Sequence, residues 1–550
     1  MKMNSSFFKK SKAVADDFIQ SIVFLDDRVY QKQGNEQDII HDLDAFEITK
    51  AFASRKKICA VYDPQTNEDI SHFKSIAHKA DIIVLDWFIE IDNPDGEEGG
   101  DDEADADDQD IKGTYTKDII KSIVTNASDG LKIILVYTGE TDLGGISEEI
   151  NNLLANSSLN TECCKIDIGK IRILVRAKSN NQEGDDTRFN HSPHLKNKVL
   201  KYSQLPDFLL NEFTKLTEGL LSNFALSSLS ILRTSTSKIL GLYSKHLDYA
   251  YLEHKSAIPN SEDAENLLID LFKDSIGDLL HYKQLNRQIS KKIVKDWMTD
   301  RIKKVNLSLK KKDGTIYNPD ETFERSKELL LNLIYSDEKD VQKKFVNIFT
   351  PLSASKKKAE EFVKYLKLNN IDLFINPAEI GSKGDLISDF ARLTHHKNVF
   401  LPRGAKPILS LGSVVKGNKS QKYFICIQQK CDSVRIGNDE QRKFLFLPLE
   451  PTEDENFNFI THDNIKLRLS NKSYGLRTLK FTSTRDGVVE AKKVREKFLF
   501  SQIYNKRSDE KFEWVLDLKD LHSQRIVTDY AATLSRVGLD ESEWLRRSLG

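Results

Sequence analysis

Three aspartates at the ends of apolar runs are the residues best placed for chemistry: Asp26 and Asp27 in "FLDDR" and Asp86 in "VLDW". Carboxylates gathered in one crevice repel each other unless a cation neutralises them. Mg²⁺, a hard ion that takes oxygen ligands, is the natural choice. Thr138, followed by Gly139 in "VYTG", offers a hydroxyl with open access beside it. A basic group in "ILVRAK", Lys178 or Arg176, would complete a set made of acids, hydroxyl and cation.

That set needs a scaffold that delivers every member to one rim. "SIVFL" at Ser21–Leu25 and the runs at 57–62, 81–85, 131–137 and 170–177 are short and rich in Ile and Val. Such runs suit strands buried on both faces of a parallel sheet. Helical patterns near 42–54, 67–79, 116–126 and 147–155 separate them, and "ECCKIDI" could add a hairpin arm. Alternation of this kind predicts a doubly wound α/β domain. Ligands of such sheets bind outside the carboxyl ends of the strands, where the strand order reverses. With a flavodoxin-like order, 2-1-3-4-5, strands one and three are neighbours, and Asp26, Asp27 and Asp86 share one crevice.

The ordered set of DD, D, T-G and K at successive strand ends resembles the receiver domain of bacterial response regulators, over residues 17–178. The resemblance implies a phosphorelay protein of a two-component system. Asp86 would be the nucleophile that accepts a phosphoryl group from a phosphohistidine on a histidine-kinase-like or GHKL-type ATPase partner. It further implies that Asp27 and Asp86 bind Mg²⁺ directly, the backbone carbonyl of Phe88 adds a ligand, and Asp26 acts through water. Thr138 would turn toward the phosphoryl oxygens and Lys178 would pair with one of them. Metal and ammonium then offset the charge on the transferring group. Ser179 stands where the family usually carries proline, and no aromatic occupies the usual coupling place before Lys178. The tail segments "CIQQKCDSVRI" and "SRVGLDESEWLRR" are similar to a variant group, the response receiver domains with a long C-terminal extension.

The chain has 550 residues, enough for three or four units at about 150 residues each. The expected architecture is a multidomain α/β chain. Residues 1–180 form the receiver-like domain, 200–375 a helical region, and 376–550 a β-rich unit closed by helices. The segment 90–112 is expected as a solvated insertion, since 90–110 holds twelve acidic residues and no basic one. From residue 203 to 246 apolar residues recur at three-four spacing, which predicts one long amphipathic helix and a possible homodimer seam. Helices are also expected at 262–280, 286–304, 319–335, 337–349, 355–368, 519–536 and 541–547, and short strands from about 400 to 515. The output of this region is not legible. A protein-interaction scaffold that is never phosphorylated, or an enzyme in the C-terminal unit, are the alternatives.

Composition narrows the function classes. The net charge of −2 gives no global footprint for nucleic acid, so the lysine clusters at 291–295, 303–304, 310–312 and 356–358 read as solvated helix faces. Five cysteines in so long a chain make no disulfide framework, and no apolar run reaches the roughly 18 residues of a membrane span. A cytoplasmic protein is expected. No Walker-type "GxxxxGK[ST]" occurs, so the phosphoryl donor must come from elsewhere, and the chain itself would do at most phosphoacceptor and autodephosphorylation chemistry. Cys431 and His395 are weaker candidates for chemistry. Cys431 has no identifiable base, and the adjacent His395 and His396 diverge as a chelating pair.

Overall fold

The computed structural model describes residues 5–29, 43–91, 113–126, 130–179, 188–189, 193–259, 263–301, 383–397, 405–454, 456–470, 475–484, 487–501 and 510–534, with single residues and pairs elsewhere. The acidic segment from 92 to 112, the helix expected at 319–335, and nearly all of 337–349, 355–368 and 541–547 lie outside the described residues. The chain divides into two units, Met1–Ile375 and Asn376–Gly550.

The first unit opens with a helix, α1 (Ser6–Phe18), whose Ser5 side chain accepts from the Phe8 amide and caps its start. Five parallel strands follow: β1 (Ser21–Leu25), β2 (Ile58–Tyr62), β3 (Ile82–Leu85), β4 (Lys132–Thr138) and, after an intervening hairpin, β7 (Ile171–Lys178). They lie in the order β2-β1-β3-β4-β7, the flavodoxin-like arrangement, with β1 and β3 adjacent in register Ile22↔Ile82 to Leu25↔Leu85. The hairpin is β5 (Ser158–Asn160) and β6 (Lys165–Ile168), antiparallel to the outer edge of β7. A two-residue strand, β8 (Val199–Leu200), runs parallel along the same edge further on.

Helices cover both faces because both faces of the strands are apolar. On one side, α3 (Asn67–Ala77), α4 (Thr114–Asn126) and α5 (Leu143–Leu153) pack Phe73, Ile119, Ile123 and Ile150 against Ile83, Ile134 and Ile173. On the other, α1, α2 (Ala45–Ser54) and α6 (Leu205–Thr217) pack Ala15, Ile48, Phe52, Leu209 and Phe213 against Phe24, Val84, Leu135 and Leu174. Each of the Ile, Leu, Val and Phe side chains contributes roughly 1.5–3 kcal/mol by leaving water. Thr66 and Asp69 form a capping box at α3, while Asp44 and Asp142 cap α2 and α5.

The long helix expected over 203–246 is two helices. α6 ends at Thr217, and α7 (Leu220–Leu242) begins after Gly219, whose backbone is extended at φ −161° and ψ 156°. Apolar spacing carries across the break because both pieces bury a stripe, so periodicity alone conceals it. Leu226 of α7 joins the same apolar core as α6, and Arg233 donates to the buried carboxylate of Asp81 at the amino end of β3. Three further helices follow, α8 (Asp248–Ala257), α9 (Asp263–Tyr282) and α10 (Lys291–Arg301).

The second unit is built on one antiparallel sheet. Its strands are β9 (Ser413–Gly417), β10 (Tyr423–Cys426), β11 (Gln441–Pro451), β12 (Phe459–Ile460), β13 (Lys466–Leu469), β14 (Arg477–Thr482), β15 (Lys492–Val494), β16 (Lys497–Ser501) and β17 (Lys511–Asp517). The order is β12-β13-β11-β10-β9-β17-β16-β15, and β14 also pairs with β11. Phe481 of β14 meets Phe444, Phe446, Phe500 and Phe512, so distant strands curl around one aromatic core. Helix α11 (Lys383–His395) precedes the sheet, and α12 (Asp520–Leu534) follows it and buries Ile526 on the other face.

Candidate functional site: a buried carboxylate cluster

Main-chain ladders at the carboxyl ends of β1, β2 and β3 fix the acids. The Asp26 amide donates to Tyr62 O at 3.1 Å and the Asp86 amide to Leu25 O at 2.9 Å, so each acid begins one residue past its strand beside its neighbour. One oxygen from each of Asp26, Asp27 and Asp86 lies within 4.8 Å of the others. Among the described residues no other trio of His, Cys, Asp or Glu side chains comes as close.

Each carboxylate is oriented by a different partner. Asp26 Oδ1 accepts from the Arg28 amide at 3.0 Å and Asp27 Oδ2 from the Glu90 amide at 2.8 Å. From the first turn of α4, Thr116 Oγ1 donates to the Asp86 carbonyl at 2.6 Å. Lys178 reaches from the end of β7 and places Nζ 2.6 Å from Asp26 Oδ2 and 3.3 Å from Asp86 Oδ1. Asp27 Oδ1 and Asp86 Oδ1 are buried and accept no hydrogen bond of good geometry.

The electrostatics follow from burial. Asp86, 4% exposed, has its carboxyl pushed up to about 8. Loss of water is the main cause; the Lys178 ammonium opposes it, and Asp26 and Asp27 add repulsion. Burial also raises Asp27, partly offset by the Glu90 amide. Burial acts to lower Lys178, but Asp26 and Asp86 outweigh it and hold the ammonium above its ordinary value. One ammonium reaches two of the three acids, and the buried Asp27 Oδ1 lacks a donor. A hard divalent cation fits that donor set.

Thr138 ends β4, buried, with Oγ1 accepting from the Glu140 amide at 3.2 Å. Because Leu85 pairs with Val136, Asp86 lies level with Tyr137, and Thr138 sits one residue beyond. Phe88 lies half-buried on the loop leaving β3. Arg176 is not brought to the cluster: its guanidinium donates to the carbonyls of Cys163 and Val175 and stacks 5.0 Å from the Phe208 ring of α6. In the second unit, Cys431 is exposed on a 3-10 turn, and His395 stacks on His522 with ring centroids 4.2 Å apart.

Sequence reading did not anticipate three residues near the cluster. Thr116 could have been found as a hydroxyl in the first turn of α4, the helix after β3. Asp63 follows β2, and its carboxyl is raised by burial first and then by the negative charge of the nearby Asp26. Arg188 donates through Nη1 to Gly139 O at 2.7 Å and through Nη2 to Lys178 O, and no local pattern announces it.

Residues 18–183 match the family model described as the response receiver domain. No curated protein and no solved structure matches the chain. No helix among the described residues is long and apolar enough to cross a membrane. The sheet order, the acids at the ends of β1 and β3 and the family match agree: residues 18–183 of this chain are a response receiver domain.

Proposed function

We propose that this chain is a phosphorelay signalling protein in which Asp86 accepts a phosphoryl group and thereby controls residues 200–550. The observation that carries this reading is the three-acid cluster itself, in which the buried Asp27 Oδ1 has no donor and a single lysine faces both Asp26 and Asp86. Stability alone gives no reason to bury three acids around one ammonium, because uncompensated buried charge is costly.

The reaction is nucleophilic displacement at phosphorus. An Asp86 carboxylate oxygen forms the new O–P bond while the P–N bond to a partner's phosphohistidine breaks, and the imidazole leaves with the electron pair. Asp26, Asp27, Asp86 and the Phe88 carbonyl would hold Mg²⁺, which when bound would offset charge on the phosphoryl oxygens. Lys178 supplies a fixed positive charge to one of those oxygens, and Thr138 a hydroxyl donor to another. Asp86 must be ionised to attack, and its raised carboxyl becomes so as cations gather around it. The donor is a histidine-kinase-like or GHKL-type ATPase, and the setting a bacterial cytoplasm. Helices α6 and α7, which share the core under the sheet, carry the change onward. Leu221, Leu229, Leu240 and Leu242 of α7 are exposed, which keeps the proposed homodimer seam on that helix.

Incubation of the full chain with Mg²⁺ and acetyl phosphate should add about 80 Da, the mass of one phosphoryl group, to the wild type and nothing to Asp86→Ala. A second reading, a scaffold that is never phosphorylated, is favoured by the low exposure of Asp86 and by Lys178 standing against it. Equal masses with and without donor, including a phosphorylated kinase partner, would decide for the scaffold.

A further inference from the structure

We propose that Arg188 is a positioning residue for phosphoryl acceptance, setting the separation of Thr138 and Lys178 across the mouth of the cluster. The inference rests on the phosphoacceptor reading above and deepens it.

The ladder between β4 and β7 runs from Lys132↔Ile171 to Thr138↔Ala177 and stops there. Gly139 and Lys178 form the next position, and no main-chain rung joins them. Their two carbonyls are instead taken by one guanidinium, Nη1 on Gly139 O at 2.7 Å and Nη2 on Lys178 O. Arg188 thus joins the two strands one position beyond the end of their ladder.

What it holds is specific. The residue before Gly139 carries the hydroxyl, and Lys178 carries the ammonium, that would face the phosphoryl oxygens. Their spacing matters only once that group is present. The hydrogen bonds that orient Asp26, Asp27 and Asp86 run to Arg28, Glu90 and Lys178 and do not use Arg188. Phe189, buried in the core on the α3–α5 face, anchors the arginine next to it. A planar fork can serve two acceptors at a set distance, whereas a lysine ammonium is a single point of charge.

The full chain, wild type and with Arg188→Ala or Arg188→Lys, is compared for Mg²⁺ affinity and for phosphoryl uptake from acetyl phosphate. Uptake should slow about tenfold in both variants, the effect of losing two positioning hydrogen bonds. Affinity for Mg²⁺ should fall by less than the rate, about twofold, because Arg188 touches none of the acids and reaches them only through the main chain of Lys178. Wild-type uptake in Arg188→Ala overturns the inference and leaves the phosphoacceptor reading intact. So does full rescue by lysine, which would make charge the operative property, or a fall in Mg²⁺ affinity equal to the fall in rate, which would make the role merely structural. No uptake by the wild type, from this donor or from a phosphorylated kinase, removes the phosphoacceptor reading and the inference with it.

Discussion

Lys178, 1% exposed, reaches from β7 past two strands to Asp26 and past one to Asp86, with its ammonium 2.6 Å from the first and 3.3 Å from the second. One cation therefore holds together the carboxyl ends of β1, β3 and β7. The same contact ties the proposed phosphoacceptor to β7, the last of the five parallel strands named above.

Removing that ammonium should be costly. Lys178→Met leaves two acids buried without their partner and should destabilise the fold by about 3–5 kcal/mol, read by denaturant titration at neutral pH. The raised lysine value fixes the sign: its contribution is fully present below the ordinary 10.5 and is lost as pH climbs from there through the raised value. A loss below about 1 kcal/mol would place the pair among weak surface bridges and contradict the burial argument.

Mg²⁺ binding should depend on pH through Asp86. Its carboxyl, raised to about 8, carries a proton in the folded protein below that pH, and the proton must leave before a cation can bind. Apparent affinity should climb up to about tenfold per pH unit toward pH 8 and flatten above it. For this group alone the cation-free fold loses stability as pH rises from 3.8 toward about 8, because the folded state binds the proton more tightly. Calorimetric titrations across that range that gave one affinity throughout would contradict the assignment.

Asp86→Asn should separate function from stability. The amide cannot ionise, so the variant avoids the proton uptake that burial imposes on Asp86, while Lys178 keeps Asp26. The cation-free variant should gain about 1–2 kcal/mol and lose both Mg²⁺-dependent stabilisation and phosphoryl uptake. Thermal melts with and without Mg²⁺ measure the first two. A variant that still melted higher with Mg²⁺, by as much as the wild type, would show that the cation sits elsewhere.

Gly113 supports the loop that carries Asp86. Its φ of +78° lies in the left-handed region, and a Cβ there would overlap the Trp87 ring. Gly113→Ala should cost about 1–3 kcal/mol and shift the emission of Trp87, which is buried beside the acceptor. Unchanged stability would mean that the ring moves freely, and with it the Asp86 loop.

Much of the site was legible because its determinants are local. An Ile/Val run followed at once by an acid marks a strand end, and Asp26, Asp27, Asp86 and Lys178 all occupy such places. The hairpin arm in "ECCKIDI" was visible for the same reason, as a short apolar run beside β7. Other features depend on contacts remote in sequence. α1 was missed because its buried positions, Phe7, Phe8, Ser11 and Ala15, are interleaved with lysines and aspartates. The break at Gly219 interrupts no apolar period. β15, β16 and β17 carry so many charges that their alternation is faint, although Phe500, Phe512 and Leu516 are core residues. Arg188 acts on carbonyls 49 and 10 positions away, a relationship that exists only once the strands are assembled.

The central claim is that the Asp86 carboxylate forms an acyl phosphate, and borohydride reduction tests it most directly. The full chain, charged by a phosphodonor with Mg²⁺, is reduced and digested, and the peptide spanning β3 is weighed. Homoserine at position 86 is the predicted result. An unchanged aspartate there, or reduction at a different acid, would contradict the account.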